Sequence, residues 1–223
     1  MSEVRDLVID GDERVGDGGF LAIRRLHLRN VRADGSTSTQ YICDAVVRPF
    51  GQDAVVVVVY ARTQRGTEVL VRHGLRPALV LGRDPARAPL PEPSPALFLT
   101  ELVAGIIEEG DQGEAGLKAR AAHEVLEEAG FLVEQDHVTL LGAGMYPSPG
   151  CLVEKFYFAA VEVDPATQQP LTGDGSPMEE GARTTWLLLD DAIAACRAGS
   201  LSDLKTEVGL RRFKEFLREP ARE

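Results

Sequence analysis

The sequence predicts a layered α/β or α+β fold, and three features predict it. Residues 54–61, "AVVVVVYA", are a run of β-branched side chains, the composition of a buried strand. Residues 117–130, "LKARAAHEVLEEAG", are strong helix formers that end on a glycine, where a left-handed C-terminal cap is expected. Strand-like and helical runs then alternate to the end of the chain.

The elements follow in order. Residues 1–50 read as short strands with turns: "FLAIRRLHLRNV" alternates unevenly and "DGSTS" is a turn cluster. After the valine run, "RTQRGT" is a turn and "EVLVRHGL" a second strand, which makes a hairpin. Residues 83–96 hold five prolines, too many for a helix or a central strand, and read as an exposed, semi-stiff loop. "LFLTELVAGII" (97–107) is one further strand and "EEGDQGEAG" a turn before the helix over 117–130. Strands follow at "VTLLGAGMY" and "EKFYFAAVEV", then a loop at "DPATQQPLTGDGSPMEEG" and a strand at "ARTTWLLL". "DDAIAACRAG" and the amphipathic "SDLKTEVGLRRFKEFLRE" close the chain as helices.

The 223 residues, 44% hydrophobic and 26% charged, suit one large domain or one domain with a smaller appended piece. A net charge of −11 repels nucleic acid and anionic membranes, which argues against both as partners. The same charge repels anionic small molecules unless metal cations or a local arginine cluster reverse the field. Cys43, Cys151 and Cys196 are widely spaced with no C-x-x-C pair, so neither a zinc site nor a disulfide framework is expected, and the reducing cytoplasm is the simplest location. The first residues lack a signal-peptide pattern, and "DAVVVVVYA" is too short to span a bilayer as a helix.

The stretch "HEVLEEAGF" (123–131) gathers three carboxylates. Glu124 and Glu128 share a helix face at i and i+4, with Glu127 beside them. Alone, such acids near Lys118 and Arg120 read as a solvated surface. Here "ELVAG" and a glycine-acid turn precede them. The whole arrangement resembles the signature of the Nudix hydrolases, a strand and glycine loop leading into a helix with R-E-x-x-E-E-x-G. Asp111 stands where that family has Glu, and His123 where it has Arg. Eleven residues separate these two where the family has seven, a four-residue insertion placed within "DQGEAG". "ELVAGIIEEGD", "GLRP" (74–77), "YPSPGCLVE" (146–154) and "DAIAACRAGSLSDLKT" are similar to segments of the ADP-ribose and nucleoside diphosphate sugar pyrophosphatases within the family.

The resemblance implies an α/β/α sandwich with a mixed sheet over residues 49–223, and an N-terminal β segment (1–48) that dimerises. It implies a Mg²⁺ cofactor, with Mn²⁺ as an alternative, held by Glu124, Glu128 and the Ala104 carbonyl, with Glu127 ligating or orienting a second ion. The general base would be Glu180, counting back from Trp186, or its neighbour Glu179. Arg76, Arg72, Glu101, Pro149 and Glu154 would contact substrate. The reaction implied is hydrolysis of the diphosphate of ADP-ribose or a nucleoside diphosphate sugar, giving a nucleoside monophosphate and a sugar phosphate. A non-catalytic nucleotide-binding module, or hydrolysis of nucleoside triphosphates or dinucleotides, are the alternatives.

Overall fold

The computed structural model describes residues 4–16, 20–48, 50–91 and 96–219. The chain divides into two compact units: Met1–Asp53 with Met145–Lys155, and Ala54–Gly144 with Phe156–Glu223.

The first unit is built on an antiparallel sheet of three strands, β1 (Val4–Val15), β2 (Ala22–Arg32) and β3 (Tyr41–Val47), with β2 central. These strands are longer than the sequence pattern suggests. Their polar positions pair across the sheet: Arg25 lies opposite Asp44 and holds its carboxylate with two hydrogen bonds of 2.8 Å. The segment 145–155 joins this unit through the Val46 N–H, which donates to the Cys151 carbonyl at 2.8 Å, and through an Arg48–Glu154 ion pair. Several apolar side chains stay exposed, among them Ile9 (60%), Phe20 (65%) and Ile42 (56%).

The second unit is an α+β sandwich around a mixed, seven-stranded sheet. Strand β4 (Ala54–Thr63) forms the expected hairpin with β5 (Gly66–Leu75), and a short helix α1 (Pro77–Gly82) follows. Next come β6 (Phe98–Glu101), β7 (Val103–Ile106), α2 (Gly113–Ala129) and β8 (Thr139–Leu140). The last elements are β9 (Phe156–Glu162), β10 (Arg183–Leu188), α3 (Leu189–Ala198) and α4 (Leu204–Phe216). Strand order is β10-β5-β4-β9-β8, with β4 and β9 parallel, β6 beside β5 and β7 beside β4.

The valine run explains the layering. Val55, Val57 and Val59 point to one face and pack with Ala121, Val125 and Ala129 of α2. Val56, Val58 and Tyr60 point to the other and pack with Ala192, Leu210 and Phe213 of α3 and α4. Alternation along one strand thus fills both interior layers. Phe213 is fully buried, its ring 4.5 Å from Tyr60. Phe213→Ala is expected to cost about 3–5 kcal/mol in chemical denaturation; a loss below about 1 kcal/mol would contradict this account of the core.

Three sequence expectations need correction. The run 97–107 is two strands that change partners at Leu102, whose N–H leaves the sheet and donates to the Thr206 hydroxyl at 2.8 Å. Of "VTLLGAGMY", only Thr139–Leu140 is a strand. Helix α2 begins at Gly113, so the four residues Gly113–Gly116 that read as a turn add about one helical turn. Its end is as expected: Gly130 is left-handed (φ 75°), and its N–H closes the helix. The proline-rich loop carries one 3₁₀ turn, Pro85–Arg87, and its residues 92–95 lie outside the described residues. Among the described residues no helix is long and apolar enough to cross a membrane.

Candidate active site

Helix α2 lies over β7 and β4, so its inner-edge glutamates meet β7 at its middle residues, Ala104 and Gly105. A Cβ on Gly105 would overlap the Glu124 carboxyl, so that carboxyl occupies the room a side chain would take. The next turn of α2 brings Glu128, whose Oε2 accepts the Ala104 N–H at 3.0 Å. Glu127 sits between them in sequence and faces His123, with Nδ1 3.3 Å from Oε2.

Two arginines balance this charge. Arg120 donates to Asp111 at 2.7 Å, lies 3.0 Å from Glu108, and approaches Glu124 to 3.7 Å. Burial opposes ionisation of Asp111, but the Glu108 N–H and the Arg120 guanidinium outweigh it and hold the carboxyl below its ordinary range. Arg72 of β5 is 1% exposed. Its guanidinium donates to Glu179 and lies 3.4 Å from Glu128.

The balance is incomplete. Burial, then the charges of Glu128 and Glu127, push Glu124 up to about 8 against the partial relief of Arg120. Burial pushes Glu128 up to about 7, although Arg72 and the Ala104 N–H pull the other way. Both carboxyls hold protons more tightly folded than unfolded. The stability this gives is complete below the ordinary value of 4.5 and is lost as pH rises through about 7 and 8. The metal-free protein is therefore expected to melt at lower temperature near pH 8 than near pH 5, with Mn²⁺ or Mg²⁺ raising Tm more near pH 8. A metal-free Tm that climbs across that range would contradict the electrostatics of the site.

The donor set suits a hard or borderline divalent cation. Ligand atoms of His123, Glu124 and Glu127 lie within 4.8 Å of one another, and Glu128 lies on the same helix one turn beyond Glu124. The glutamate set and Gly105, whose missing side chain makes room for Glu124, fit such an ion.

No family model matches the sequence, and no curated protein matches it. Among solved structures, one described as the crystal structure of an ADP compounds hydrolase aligns with a TM-score of 0.68. The alignment covers 98% of this chain and 97% of that chain at 12% identity. The likeness is one of fold. The mixed sheet and its flanking helices therefore belong to the α/β sandwich seen in that hydrolase.

The structure brings Ala104, Glu124, Glu127, Glu128, Arg72 and Glu179 together. Glu179 is half-buried at the end of a 3₁₀ turn (Pro177–Glu179), whereas Glu180, the nearer match by counting, is exposed. Arg72, expected to meet substrate, is instead an interior residue. Glu101 is likewise 1% exposed, its carboxylate 2.5 Å from both Arg76 and Lys205. Arg76 keeps a third of its side chain exposed. Pro149 and Glu154 belong to the first unit, where Pro149 is exposed and Glu154 pairs with Arg48.

Sequence reasoning took Arg120 only as a neighbour of a solvated face, and it missed Lys205. The signal for Arg120 was its place four residues before Glu124, one turn up the same helix face. Lys205 lies 104 residues from its partner Glu101, and no local pattern marks it.

Proposed function

We propose that this protein is a divalent-metal-dependent hydrolase that cleaves the diphosphate of ADP-ribose or a nucleoside diphosphate sugar, releasing a nucleoside monophosphate and a sugar phosphate. One observation carries the reading: Glu124, Glu127, Glu128 and Glu179 converge, and two of them, Glu124 and Glu128, are buried with too little cationic charge nearby to offset that burial. The fold shared with an ADP compounds hydrolase supports it.

Glu124, Glu128 and the Ala104 carbonyl would hold Mg²⁺ or Mn²⁺, with Glu127 holding or orienting a second ion. When bound, the cation supplies neutralisation of the diphosphate and acidification of water. Arg76, partly exposed and anchored on Glu101, pairs with a phosphate oxygen. Glu179 takes the proton of the attacking water as phosphorus is attacked. Residues 1–48 serve as a dimerisation segment, supported by the exposed Ile9, Phe20 and Ile42, and the free thiols of Cys43, Cys151 and Cys196 suit a cytoplasmic protein.

A hydrolysis screen over ADP-ribose and UDP-, GDP- and ADP-sugars, with Mg²⁺ and Mn²⁺ compared, tests this. Monophosphate release that needs the cation is expected. Nucleotide-induced thermal stabilisation with no product from any substrate would replace the enzyme with a binding module.

A further inference from the structure

We infer that Arg72 is the positioning residue for Glu179, tying the loop before β10 to the α2 glutamates through a guanidinium that never meets substrate; this rests on the reading of Glu179 as the base. The strand places Arg72 opposite Glu101 of β6 on one side and Thr184 of β10 on the other. Two residues on, the same face of β5 carries Gly74. A Cβ there would stand 2.5 Å from Arg72 Nη1 and 3.0 Å from Glu101 Oε1. The guanidinium therefore lies in the space that the side chain of residue 74 would fill.

From that notch one terminal nitrogen, Nη2, donates to Glu179 Oε2, while Nη1 lies 3.4 Å from Glu128 Oε1. A buried guanidinium is costly unless carboxylates compensate it, and its planar fork reaches two of them at once. The loop itself is anchored to α2 by its backbone: the Gln169 N–H donates to the Gly130 carbonyl at 2.7 Å and the Gly173 N–H to the Glu127 carbonyl at 3.1 Å. These bonds bring the loop to the C-terminal end of α2. The Arg72 contact then selects which acid of the Glu179–Glu180 pair turns inward.

Lysine at this position keeps a charge beside Glu128 but lacks the second nitrogen that holds Glu179. With ADP-ribose and Mn²⁺, Arg72→Lys is expected to lower kcat by about 10–100-fold, part of what a general base contributes, with KM within about threefold. Glu179→Gln alone should lose more. Because Arg72 acts through Glu179, the double variant R72K/E179Q should match E179Q to within about twofold. Hydrogen exchange gives a readout independent of turnover: amides of residues 176–182 should exchange faster in R72K and in Glu179→Ala than in the wild type, without metal or nucleotide.

A multiplicative loss in the double variant, or a raised KM at unchanged kcat, would overturn the inference, the latter by making Arg72 a substrate contact. Unchanged exchange at 176–182 in R72K would overturn it as well. Should the wild type cleave no diphosphate, the proposed function falls, while the exchange measurement still decides whether Arg72 positions the loop.

Discussion

Glu128→Gln is expected to lower metal-dependent turnover by more than about 100-fold, since loss of an outer partner of a metal ligand alone costs 10–100-fold. The substitution is conservative in shape. A glutamine oxygen still accepts the Ala104 N–H, and Arg72 keeps Glu179 as a partner. What disappears is a negative charge beside Glu124, in surroundings where burial already disfavours charge. The metal-free variant should therefore melt no lower than the wild type near pH 8, while its affinity for Mn²⁺, measured by calorimetry, falls with its activity. Loss of activity with metal affinity untouched would place Glu128 outside the metal site, and full activity would remove the chemistry proposed for the whole cluster.

Gly105→Ala should be as damaging through geometry alone. The added methyl overlaps Cγ, Cδ and one oxygen of Glu124; Gly105 is fixed by its pairing with Val55 in the sheet, so the Glu124 side chain must turn away. Forced overpacking of this kind typically costs about 1–3 kcal/mol. Here it also swings a carboxylate out of the cluster, so Mn²⁺ affinity should fall in parallel. Gly82 has nothing within 4 Å of its would-be Cβ, and Gly82→Ala should stay within about 0.5 kcal/mol of the wild type. If Gly105→Ala were as silent as that control, the close approach of strand and glutamate would not exist in solution.

What could be read in the sequence, and what could not, follows from the range of the interactions. The strand at 54–61 was legible because β-branched side chains filling both layers leave a continuous apolar run. The end of α2 was legible because Gly130 adopts a backbone conformation that side chains resist. Its first turn was not, because Gly113 and Gly116 have poor helix propensity, and the sequence alone does not show that Gly116 packs tightly over the Asp111 backbone. The break at Leu102 depends on a hydroxyl more than a hundred residues away. In the site, the grouping of Glu124, Glu127 and Glu128 is dictated by helical spacing, so the sequence reveals it. The burial of Arg72 and the choice of Glu179 over Glu180 depend on how β5 meets a distant loop, and an arginine on a strand looks the same on paper whether it faces water or carboxylates.

The membership of the first unit has a practical side. Residues 145–155 are donated to it from deep within the other unit's stretch of chain, and they depend on the Val46 N–H and the Arg48 guanidinium. An expression clone that starts after Asp53 would discard both anchors while retaining the peptide they secure. Chain routing thus prevents isolation of the second unit by a single cut: residues 145–155 must also be removed and Gly144 bridged to Phe156.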